Sequence, residues 1–130
     1  MGDNYSMSER IRTYAEFWPF YLREHSRPAT RWLHFVGTTV GLGIGVSAIV
    51  LGRGALAIGF PVVAYGLAWI GHFGIEKNRP ATFKYPLWSL ISDFRMLGLM
   101  ASGQLGPHLE RAQAGRPAAP GSAAQAAPSR

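Results

Sequence analysis

Residues 30–76 read TRWLHFVGTTVGLGIGVSAIVLGRGALAIGFPVVAYGLAWIGHFGIE. Between Arg31 and Arg53 stand 21 residues without Asp, Glu, Lys or Arg, and between Arg53 and Glu76 another 22. At 1.5 Å rise per residue either stretch, as a helix, reaches roughly 30 Å, the thickness of a bilayer's hydrocarbon core. Two such stretches in succession are hard to hide inside one 130-residue soluble domain. They predict two membrane helices, over 30–51 and 55–76. The soluble alternative is a buried helical hairpin. Thr38, Thr39 and Ser47 do not disturb the membrane reading, because their hydroxyls can bond carbonyls of their own helix.

Gly52-Arg53-Gly54 is a short connection, so the two helices must form an antiparallel hairpin with both chain ends on one side. That side has Arg10, Arg12, Arg23, Arg27 and Arg31 before the first span, and Lys77, Arg79 and Lys84 after the second. The far turn has Arg53 alone. The positive-inside bias therefore places both termini in the cytoplasm. The same pattern accounts for the net charge of +6 and the pI near 10.3, since basic residues beside a membrane meet anionic headgroups. No nucleic-acid-binding motif interleaves with them. The mean hydropathy of +0.05 is an average over greasy helices, a charged rim and a polar tail.

The flanks read as further helices. Over 6–26, Ser6 and Glu9 have capping-box spacing, and Tyr14, Trp18, Tyr21, Leu22 and His25 share a face suited to the headgroup region. Pro19 predicts a kink. Met1-Gly2 with Ser6 is a weak myristoylation match, and no cleavable signal precedes the spans. Over 86–105, Pro86 suits a first helical position, and Leu87, Leu90, Ile91, Phe94, Leu97, Ala101 and Leu105 recur at helical spacing. Asp93 and Arg95 interrupt that run, which either lies along the membrane or packs on the hairpin. Residues 107–130 are rich in Ala, Pro, Gly, Ser and Gln and predict a disordered tail, with His108 solvated at its start. The expected fold is an all-α, small integral membrane bundle: a transmembrane hairpin with flanking amphipathic helices over 1–106.

Gly37, Gly41 and Gly45 recur every four residues, which lets helices approach closely, within the chain or between copies in a homo-oligomer. On the second span Tyr65, Trp69, His72 and Glu76 form a stripe. In an antiparallel hairpin His34 comes level with His72 and Glu76, and His25 can fold back over the same place. Ionisable groups at membrane depth face a protein interior or a wet cavity. With no cysteine in the chain, a metal site must use His, Asp and Glu. Three imidazoles and a carboxylate suit Fe(II), or less well Zn(II). Taken singly, each histidine reads as a structural interface residue, and His72 with Glu76 as an ordinary helix pair. Asp93 reads either as a surface charge or as a partner for a ligating histidine.

Tyr21 to His25, then nine residues to His34, resembles a "Y-x-x-x-H … H" opening. Gly71-His72-Phe73-Gly74-Ile75-Glu76-Lys77-Asn78-Arg79-Pro80-Ala81 is similar to a "G-H-x-x-x-E-x-x-x-P-A" segment. Both belong to the family of the fungal endoplasmic-reticulum 2-hydroxy fatty acid dioxygenase, named for metabolism of phytosphingosine to odd-numbered fatty acids. The resemblance covers roughly 14–105. It implies a membrane-bound, Fe(II)-dependent enzyme that uses O2 to shorten a 2-hydroxy fatty acid by one carbon. His25, His34 and His72 match the family's essential histidines. Glu76 matches the motif carboxylate, as a fourth ligand or a base, and Arg79 is placed to pair with the substrate carboxylate. The chain is shorter than the fungal enzyme, and its Ala/Pro/Arg-rich tail reads bacterial, which points to the inner membrane. Two other classes stand beside this one. One is a non-catalytic membrane scaffold or subunit with structural histidines, and the other a haem protein without a cysteine attachment signature.

Overall fold

The computed structural model describes residues 10–115, whose regular elements are all helical, with no strand among them. Helix α1 (Tyr14–Glu24) starts where the Thr13 side chain accepts from the Glu16 amide, and it carries Pro19 inside. Ser6 and Glu9, the expected capping pair, lie outside the described residues. Helix α2 (Pro28–Val50) begins on Pro28, whose missing N–H costs nothing at a first helical position. Gly52 ends it at φ 62°, a left-handed conformation that glycine adopts without strain. The Arg53 amide then caps the Ala48 carbonyl.

The return helix is three segments in one rod. A 3-10 turn (Gly54–Ile58) leads into α3 (Gly59–Trp69), and a π-helical turn (Ile70–Glu76) completes it. The rods Pro28–Val50 and Gly54–Glu76 are each 23 residues and apolar enough to cross a membrane. Neither rod is buried as a core hairpin would be, because most of its surface is open. Ile49 is 82% exposed, Val50 76% and Val62 64%.

Two glycines set the hairpin's closeness. A Cβ on Gly37 would lie 3.2 Å from the Leu67 Cβ, and one on Gly41 2.9 Å from the Phe60 carbonyl oxygen. Both therefore serve the α2–α3 contact within the chain. Gly45 meets Phe60 only at 3.9 Å.

Helices α1, α4 (Pro86–Ala101) and α5 (Leu105–Ala114) gather at the end of the hairpin that carries the histidines. Their core is aromatic: Phe17, Trp18, Tyr21 and Tyr85 are buried with Leu22, Met96, Leu105 and Ala112. The α1 aromatics expected at the headgroups are thus mostly core, because α4 and α5 cover them. Trp18 donates its indole N–H to Nδ1 of His108, 3.1 Å away. His108 is half-buried rather than solvated, and residues 107–114, expected as tail, are helical because α5 folds back onto α1. The rest of that tail lies outside the described residues.

Helix α4 packs on the hairpin, one of the two placements expected of it. Its buried residues are Ser89, Ser92 and Met96, while Leu87 and Ile91 are exposed. The apolar stripe faces outward and the small polar residues face in. At 16 residues α4 also falls short of the roughly 20 that a span needs.

Candidate metal centre

His25 caps the C-terminus of α1, His34 sits in the second turn of α2, and His72 lies in the π turn. All three are buried. Nε2 of His25 is 3.0 Å from Nε2 of His34, which is 3.3 Å from Nε2 of His72. Gly71 makes this approach possible, since a Cβ there would lie 2.9 Å from the Thr30 methyl. π turns insert one extra residue per turn and recur at functional sites. Here the turn aims His72 at the other two rings.

The opposite ring nitrogens are each held by an acceptor. His25 Nδ1 is 2.6 Å from the Tyr21 carbonyl oxygen, which can only accept. His72 Nδ1 is 2.7 Å from Asn78 Oδ1. The Asn78 amide nitrogen donates to the Glu24 carbonyl and carboxylate, and this fixes which end of Asn78 faces His72. His34 Nδ1 lies 3.3 Å from Asp93 Oδ1. The Tyr21 hydroxyl donates to that same carboxylate oxygen. The acceptors at His25 and His72 favour the Nδ1–H form, which leaves their Nε2 lone pairs facing His34, and Asp93 stands within ion-pair range of the third Nδ1.

Nε2 lone pairs aimed at one another repel unless a cation sits among them. Bonds of about 2.0–2.1 Å place neighbouring donor nitrogens roughly 2.9–3.4 Å apart between octahedral and tetrahedral geometry. The two Nε2 separations fall inside that interval. Metal-ligating histidines characteristically donate their other N–H to a carboxylate, a backbone carbonyl or water. Here a backbone carbonyl faces His25, a carboxylate faces His34, and the Asn78 amide oxygen takes the third place. The residues fit a transition metal held by nitrogen. They do not fit a haem, because ring centroids 4.3–5.2 Å apart leave no room for a porphyrin between them.

Burial, reinforced by the neighbouring imidazoles of His34 and His72, pushes His25 well below the ordinary imidazole range. Burial and then the Asp93 charge push the Tyr21 phenol well above its ordinary value, so Tyr21 stays a donor. Burial also raises Glu24, opposed by the hydrogen bond from Asn78.

Two expected site residues are placed elsewhere. Both oxygens of Glu76 are engaged at the α1–α2 turn: Ser26 Oγ donates at 2.8 Å and the Arg27 amide at 2.7 Å. The i,i+4 pairing of His72 with Glu76 assumed α-helical register, which the π turn changes. Glu76 instead clamps the turn that carries His25, helped by Arg31, which donates to the His25 and Ser26 carbonyls. Arg79 is exposed and stacks over Phe83, 5.4 Å from its ring centre, in a cleft that the histidines do not line. The converging set is therefore His25, His34 and His72.

Asn78 had no assigned role in the sequence, although it lies inside the quoted motif. Its place depends on Lys77, whose φ of 58° turns the chain back so that the Asn78 amide reaches the His72 carbonyl. Tyr21 was read as part of an aromatic face and as a motif residue, without the contact to Asp93. The usable signal for Asp93 was an isolated charge in an apolar run.

Residues 11–105 match the family model described as 2-hydroxy-palmitic acid dioxygenase Mpo1-like. The chain belongs to the Mpo1-like family. Neither a curated relative nor a solved structure matches it. The family's matched stretch contains all three histidines and every residue that orients them.

Proposed function

We propose that this chain is a membrane-embedded, non-haem Fe(II)-dependent dioxygenase that acts on a 2-hydroxy fatty acid. The observation that supports it most is the convergence of three Nε2 atoms, each ring oriented from behind, in a chain of this family. Iron is favoured over zinc because dioxygen chemistry needs a redox-active metal, which zinc is not. The net reaction balances without a further reductant: the 2-hydroxy acid and O2 give the acid one carbon shorter, CO2 and water.

The roles of the residues follow from their partners. His25, His34 and His72 hold the ion. Bound Fe(II) supplies the electron transfer that O2 requires and a positive centre for the hydroxy-acid head group. Asp93 and Tyr21 keep the His34 Nδ1 proton in place, Asn78 does so for His72, and the Tyr21 carbonyl for His25. Glu76 and Arg31 hold the turn that carries His25. The buried setting keeps bulk water from the reacting oxygens.

Membrane embedding is supported by the outward apolar faces of both rods, which leave a belt that water would not tolerate. The basic residues at the histidine end support a cytoplasmic position for that end and for both termini. A fatty acid can then reach the centre from the bilayer.

The test is metal content and oxygen uptake of detergent-purified, anaerobically iron-loaded protein. Wild type should bind one non-haem iron and consume O2 with a 2-hydroxy fatty acid but not with the unhydroxylated acid. His25→Ala, His34→Ala and His72→Ala should each lose the iron. Full iron retention by all three folded variants, or a Soret band in the wild type, would sink the reading.

A further inference from the structure

A cavity of about 230 Å³ lies against His34, between the hairpin and α4. His34 and Asp93 stand at its head, and its α3 wall descends through Ala68 and Ala64 to Phe60. Leu90 and Phe94 of α4 close the side. Ala68 to Phe60 is a rise of about 12 Å. The small side chains of Ala64 and Ala68 leave the groove open, and Phe60 ends it. The Phe60 ring has no room to swing toward α2, because a Cβ on Gly41 would already lie 2.8 Å from its Cδ2.

With His34 of the histidine cluster at one end and a mostly apolar shaft below it, the cavity matches the chain of a single-headed amphiphile whose head sits at the cluster. A methylene is about the size of a water molecule, and at roughly 30 Å³ each the space holds about eight carbons. Resting on the dioxygenase reading above, we propose that this cavity is the acyl subsite of the centre. It takes about the first eight carbons of the substrate, and Phe60 sets the chain length accepted.

The experiment compares kcat/KM for 2-hydroxyoctanoate and 2-hydroxypalmitate in iron-loaded wild type, Phe60→Ala and Ala64→Trp. Wild type should favour the shorter acid. Phe60→Ala should shift the preference toward the longer acid by about tenfold, the effect of one or two more buried methylenes. Ala64→Trp should lose turnover of both while keeping its iron, which separates a blocked groove from a misfolded protein. An unchanged length preference in Phe60→Ala, or wild-type rates in iron-replete Ala64→Trp, would overturn the proposal.

A second readout does not need turnover. A 2-hydroxyoctanoic acid with a diazirine at its chain end should label Phe60, Pro61 and Ala64 in zinc-loaded protein, and an excess of the unlabelled acid should suppress the labelling. If that labelling occurs while no 2-hydroxy acid is oxidised, the dioxygenase reading fails and the acyl groove stands. Labelling spread over outward-facing Val62 and Ile49, with residues lining the groove unmarked, overturns the groove.

Discussion

Asp93 is the residue on which the His34 position turns. Its carboxylate faces His34 Nδ1 at 3.3 Å and accepts from Tyr21, so it sets both the tautomer and the tilt of the ring. Removing such a partner typically weakens metal binding 10–100-fold, an effect of about 1.4–2.7 kcal/mol. Asp93→Ala should lower iron or cobalt affinity by about that factor in chelator competition. Asp93→Asn, which keeps an acceptor, should lose less. Equal affinity in wild type and Asp93→Ala would show that Asp93 does not orient the ligand. At this scale the sequence was half legible. The three histidines could be brought together from spacing and hairpin logic alone. Asn78 could not, because its role depends on a left-handed Lys77 that no local propensity favours. Glu76 was misplaced for the related reason that ideal helical register was assumed across residues 72–76.

Among the elements, the α2–α3 contact depends most on one position. At Gly41 a side chain would meet the Phe60 carbonyl oxygen at 2.9 Å, and backbone cannot move aside as a flexible side chain can. Gly41→Val should therefore destabilise the protein by about 1–3 kcal/mol. Gly43 has nothing within 4 Å of its Cβ position. Gly43→Ala should be neutral, or stabilising by up to about 1 kcal/mol through helix propensity. Thermal unfolding in a fixed detergent distinguishes the two, and comparable losses at both sites would remove the close-approach argument. The four-residue glycine repeat marked a helix contact, but not which glycines the partner would use. That choice follows from where the far turn ends and how the rods cross. Helix α4 makes the same point with the opposite sign. Its apolar periodicity predicted a helix correctly, and only the packing of Ser89, Ser92 and Met96 inward showed which face is out.

For the whole molecule, the prediction concerns the two sides of a membrane. A reporter fused after Arg130 should register as cytoplasmic, and one inserted at Arg53 as lying on the opposite side. Both on the same side would refute a membrane-crossing hairpin. The arrangement is an open pair of apolar rods capped at one end by an aromatic core of α1, α4 and α5. The histidine cluster lies where the cap meets the rods, so each histidine comes from a different element and none is placed by its own helix alone. This explains why the expected disordered tail failed over 107–114: composition there is weakly apolar, but α1 offers a surface for Leu105 and Ala112 to bury against.

By itself the sequence determined the helical class, the hairpin, its turn at Gly52–Gly54 and the end at which chemistry is concentrated. Those follow from charge placement and segment length, which act locally along the chain. Only the tertiary structure decided the details of the site. It reduced the candidate ligands to His25, His34 and His72, recruited Asn78, Tyr21 and Asp93 behind them, and turned Glu76 and Arg79 to other contacts. Those outcomes depend on a π turn, a left-handed residue and the packing of α4. Each is a local departure from ideal geometry, sustained only by contacts from elsewhere in the fold.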